Sequence, residues 1–91
     1  MVITKRDLLA EVNRELKDYT LDEVREVFNT IERIALSHLK QANEDNAVTI
    51  KFGNGMSVTS RIKTVDDVPR MWLKAKISRY FNRHIINEYE N

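Results

Sequence analysis

The chain predicts an α+β fold in one domain over residues 1–91: two N-terminal helices, a β-hairpin and a C-terminal helix. Three observations predict it. Two helix-start signals in the first half each precede apolar residues at helical spacing. Strict apolar/polar alternation flanks Gly53-Asn54-Gly55, as a hairpin requires. Pro69, preceded by Asp66-Asp67, heads a further stretch with apolar residues three and four apart.

The elements follow in order. Thr4 with Asp7 three residues on reads as an N-cap with an acid in the first turn, and Leu8, Leu9, Val12 and Leu16 carry the helical period. A first helix is expected over about residues 5–17. Thr20 and Glu23 form a capping box for a second helix. Leu21, Val24, Phe28, Ile31, Ala35, His38 and Ala42 repeat along it at three and four residues, and Val27, Ile34 and Leu39 widen the stripe. So broad a stripe over about 23 residues exceeds what a three-turn first helix can cover. A second copy of the helix is the simplest cover, which makes Val24, Phe28, Ile31, Ala35, His38 and Leu39 the expected dimer interface. The alternative is a helix buried within its own chain.

Val48, Ile50 and Phe52 alternate with Thr49 and Lys51, and Met56, Val58, Ser60 and Ile62 with Ser57, Thr59, Arg61 and Lys63. One hairpin face is thus apolar and the other hydroxyl-rich and basic. Thr64–Val68 reads as a connector, with the two aspartates complementing the dipole of a third helix over about residues 69–88. On that helix Leu73, Ile77, Tyr80 and His84 share one face, and Trp72, Lys76, Arg79 and Arg83 another. Arg70 and Lys74 form a further basic pair one turn apart.

Composition sets outer bounds. The 91 residues are 42% hydrophobic and 32% charged, with two glycines and one proline, which suits a folded domain better than a linker or disordered tail. A chain this small buries roughly 60–65% of its unfolded surface, so a partner subunit would add needed stability. No apolar run is long enough for a transmembrane helix. The N-terminal residues lack the apolar region of a signal peptide, so a cytoplasmic setting is expected. With no cysteine, disulfides and thiolate metal sites are excluded.

The net charge of +1 conceals an asymmetry. Residues 1–45 carry seven Lys/Arg against ten Asp/Glu, whereas residues 46–87 carry eight against two. The second half therefore suits a polyanion. The candidate contacts are Lys51, Arg61 and Lys63 on the hairpin, with Trp72, Lys74, Lys76, Arg79 and Arg83 on the third helix. Such phosphate contacts supply most of nucleic-acid affinity, and Thr49, Ser57 and Thr59 add neutral donors. Trp72 either stacks on a base or sugar or caps the core where the third helix meets the hairpin, and the second role is preferred.

Catalysis finds little support. No nucleophile stands beside a base, and no phosphate-binding glycine loop or zinc-spaced histidine pair is present. His38 and His84 flank apolar stripes and read as core or interface histidines. The expectation is a non-enzyme without cofactor or metal.

The motifs fall in an order that resembles the HU/IHF histone-like bacterial DNA-binding proteins. Thr4-Lys5 followed by Leu8-Leu9 and Val12 resembles that family's opening helix, and Val27-Phe28-Asn29-Thr30-Ile31 the middle of its second. Val48-Thr49-Ile50-Lys51-Phe52-Gly53-Asn54 is similar to its first strand and turn, and Val68-Pro69 with the stretch after it to its closing segment. The resemblance covers the whole chain through motifs that are individually unspecific. It implies an intertwined homodimer with a helical base and a β-sheet saddle that binds the DNA minor groove with little sequence preference, in the nucleoid or in a phage or mobile element. Members bend DNA with long β-arms whose tip prolines wedge between base pairs. Here Ile62 to Val68 leaves no room for an arm, Gly55 stands near where an aromatic residue is expected, and helix two with its exit is longer. Carry-over is limited to Arg61 and Lys63, by rough position. Two other readings stand beside it: a dimeric module that docks an acidic protein after losing DNA binding, and a single-strand binder with Trp72 and Tyr80 as stacking platforms.

Overall fold

A computed structural model describes residues 1–90, with side chains as far as residue 88. The element order is α1 (Lys5–Glu15), α2 (Leu21–Leu39), β1 (Val48–Phe52), β2 (Met56–Val65), β3 (Val68–Ile77) and α3 (Arg79–Glu90). The chain divides into two units, Met1–Ile34 and the remainder from Ala35, with α2 running through the boundary.

In the first unit both helices start where their capping residues place them. The Thr4 hydroxyl accepts from the Asp7 amide at 3.2 Å, and the Asp7 carboxylate accepts from the Thr4 amide at 3.0 Å. That backbone hydrogen bond, with the Thr4 hydroxyl second, holds the Asp7 carboxyl below its ordinary value. Its contribution to the helix start is present above the ordinary carboxylate range and is lost as pH falls through the lowered value. Thr20 and Glu23 repeat the same reciprocal pair at 3.1 and 3.2 Å. Lys5 ties the start of α1 to α2: its Nζ donates to Asn29 at 2.5 Å, pairs with Glu32 at 2.7 Å and lies 5.0 Å from the Phe28 ring centroid. Leu9 is buried.

In the second unit α2 ends at Leu39, 19 residues long rather than about 23. The exit is closed by an Asn43 side chain that accepts from the amides of Asp45 and Asn46, each at 2.9 Å. The three strands form one antiparallel sheet in the order β1-β2-β3. Val48, Ile50, Phe52, Val58, Ser60, Ile62, Met71, Leu73, Ala75 and Ile77 line its apolar face. Ser60, with 0% exposure, donates from that face to the Leu39 carbonyl at 2.7 Å, so the end of α2 meets the sheet there. Ala35, Leu39 and Ala42 are buried in the same unit.

The expected third helix over residues 69–88 is corrected. Its first half is strand β3, which pairs with β2 from Val65 opposite Val68 to Met56 opposite Ile77. Thr64 and Val65 belong to β2, so the connector is Asp66-Asp67 alone. Both aspartates have positive φ, 54° and 64°, the mark of a type I′ hairpin turn whose twist suits the flanking strands. Pro69 fits because β3 is an edge strand. One position beyond the closing Val65–Val68 pair, its nitrogen faces away from β2, where no ladder donor is needed. The alternation of residues 70–77 decides for a strand once β2 supplies a partner, and Trp72, Lys74 and Lys76 are strand residues. Asp67→Gly should relieve the left-handed backbone and stabilise the fold by about 0.5–1 kcal/mol, read as a higher urea midpoint. An unchanged or lower midpoint would argue against this turn.

Of the described residues from 69 onward, Arg79–Glu90 form the helix, α3. Ser78 is its hinge: its amide donates to the Gly55 carbonyl at 2.9 Å, its hydroxyl donates to the Asn54 carbonyl, and that hydroxyl accepts from the Phe81 amide at 3.3 Å. The start of α3 is thus fastened to the β1–β2 turn.

Candidate nucleic-acid interface

The register that makes β3 a strand also gathers its charges. Side chains alternate across a strand, so Thr49 and Lys51, Ser57, Thr59, Arg61 and Lys63, and Arg70, Trp72, Lys74 and Lys76 share the face opposite the apolar one. Successive rows across β2 and β3 set Lys63 opposite Arg70, Arg61 opposite Trp72, Thr59 opposite Lys74 and Ser57 opposite Lys76. On β1, Lys51 lies opposite Ser57, and the Thr49 and Thr59 hydroxyls bond each other at 2.9 Å.

Six cations therefore lie on one sheet face. Among the described residues of the three strands, no acidic side chain joins them. Lys63 and Arg70 are directly opposed, an arrangement that destabilises a sheet. A bound anion would relieve that repulsion. A shallow recess on this face is lined by Thr59, Arg61, Lys63, Trp72, Leu73 and Lys74. Trp72 is 54% exposed, so it does not cap a core.

The expected contacts divide accordingly. Lys51, Arg61, Lys63, Trp72, Lys74 and Lys76 come together on the sheet. Arg79 and Arg83 do not: they belong to α3, one turn apart. Arg70 joins the face although helical spacing had set it aside, and the alternation from Arg70 to Ile77 is the signal that would have found it. Tyr80 also lies on α3, its ring 4.3 Å from that of His84, so it is no part of the sheet face.

Of the expected interface residues, Ala35 and Leu39 are buried within the chain, Val24 and Phe28 are half-buried, and Ile31 and His38 are exposed. Val27, Ile34 and Leu36 on α2 are exposed too. On the apolar face of β3, Leu73 and Ile77 remain 66% and 61% exposed.

Among the described residues no three His, Asp or Glu side chains come together as a metal would require. No helix among them is long and apolar enough to cross a membrane. The chain matches no protein-family model, no curated protein and no solved structure.

Proposed function

We propose that this chain is a non-enzymatic, HU/IHF-like architectural protein without arms, which binds duplex DNA with little sequence preference and acts as a homodimer. The observation that carries this reading is the single-signed sheet face, six cations and three hydroxyl side chains aligned by the β1-β2-β3 register. Phosphate contacts of this type position a duplex without reading its bases. The β2–β3 hairpin reaches five residues per strand beyond the end of β1 and closes in the acidic Asp66-Asp67 turn, and binding is read as resting on the backbone and counterion release. The apolar residues exposed on α2 and on β3 support a second copy as their cover. A dimer would present two such sheet faces.

The test is a fluorescence-anisotropy titration of a short labelled duplex at several salt concentrations. Micromolar or tighter affinity is expected at low salt. The log–log salt slope should correspond to about four or more phosphates, at about 0.9 per phosphate. No binding even at low salt would overturn the reading and turn the search to acidic protein partners.

A further inference from the structure

We infer that the sheet face also takes single-stranded nucleic acid, with Trp72 as the platform on which an unpaired base stacks. The inference rests on the backbone-binding reading of the same face and deepens it by naming a second ligand class. Trp72 is the one tryptophan in the chain and stands on the solvent side of an edge strand, 54% exposed. Among the described residues its ring has no aromatic neighbour and no cation over its face. Packing therefore does not account for a large apolar side chain at this position.

Its surroundings do. Arg70 and Lys74 lie two residues to either side on the same strand face, about 7 Å away along β3. Arg61 lies directly opposite on β2. A base on the indole would have its two flanking phosphates within reach of Arg70 and Lys74, while Arg61 and the Thr59 hydroxyl hold the sugar-phosphate backbone. Duplex DNA hides the faces of its bases and can use only the cations. An unpaired strand can use the cations and the indole together, and stacking is tolerant of sequence because every base has a π-face.

The position also provides its own reporter, since all tryptophan emission comes from Trp72. The experiment titrates the full chain with oligodeoxythymidine and with a duplex of equal length. Tryptophan emission and the anisotropy of a labelled probe are both followed, for the parent chain, W72A and W72F. Expected are quenching by the single strand but little by the duplex, and a loss of single-strand affinity of roughly 5- to 100-fold in W72A. W72F should retain most of that affinity, and W72A should cost the single strand several-fold more than the duplex. Single-strand binding without quenching, or equal in W72A, would overturn the inference while leaving backbone binding intact. Equal losses for both ligands in W72A would also overturn it, because Trp72 would then merely support the face. Failure of the single strand alone to bind would overturn this inference, and failure of both ligands would overturn the backbone-binding reading with it.

Discussion

Reversing Arg61 and Lys63 together, as R61E/K63E, is expected to weaken duplex binding by on the order of 10- to 100-fold and to reduce the salt slope by about two phosphates. The two residues occupy adjacent rows of the basic face, opposite Trp72 and Arg70. They lie on β2 just beyond the end of β1, in the two-stranded part of the sheet where Arg61, Lys63 and Arg70 concentrate the positive charge. The loss should be uniform across DNA sequences, because contacts to phosphate carry no base information. Folding should be spared. Both side chains point away from the apolar face, and Lys63→Glu replaces a directly opposed like-charge pair with an opposite-charge pair to Arg70. Urea unfolding at fixed protein concentration should therefore show an unchanged or slightly higher midpoint. Binding that survives the double reversal would move the site off the sheet, and Arg79 and Arg83 on α3 would be the next positions to test.

Gly55→Ala is expected to destabilise the fold by about 1–3 kcal/mol through overpacking. Gly55 is buried, and an added Cβ would lie no more than 2.7 Å from three atoms of the Phe81 ring. The ring cannot simply retreat: Ser78, three residues earlier, is bonded to the carbonyls of both Asn54 and Gly55. Either the start of α3 lifts or the β1–β2 turn shifts. Phe81→Ala alone loses the packing of the ring, but in the Gly55→Ala background it also removes the clash. The two substitutions should therefore be non-additive, with the double variant more stable than the sum of the single effects predicts. Additive costs would mean that Phe81 does not sit against Gly55. This contact accounts for the glycine at position 55, because the Phe81 ring fills the space that a side chain there would need.

Local signals were legible wherever the chemistry is local. The boxes at Thr4/Asp7 and Thr20/Glu23 each depend on residues three apart, and both helices begin at them. The alternation from Val48 to Ile62 placed β1 and most of β2 with the correct apolar face. The early end of α2 at Leu39 was less legible, because Ala42 continues the apolar period three residues past the last helical residue. The candidate site was half legible: the hairpin cations were identified with their face, whereas those beyond Pro69 were placed on a helix.

The stretch from Arg70 to Ile77 satisfies two periods at once. Leu73 and Ile77 are four apart as on a helix, and every second residue is apolar as on a strand. Asp66-Asp67-Val68-Pro69 similarly serves as a helix start or, with positive φ at both aspartates, as a tight turn. The sequence by itself determined where the first two helices begin, which hairpin face is apolar and that the second half carries the positive charge. Only the tertiary structure decided that β3 pairs with β2. A strand is stable only when a neighbour satisfies its backbone donors and acceptors, and that neighbour is not encoded within the segment. With the period changed from 3.6 to 2, Arg70, Trp72, Lys74 and Lys76 moved onto one face beside Arg61 and Lys63, and a scattered positive charge became a surface.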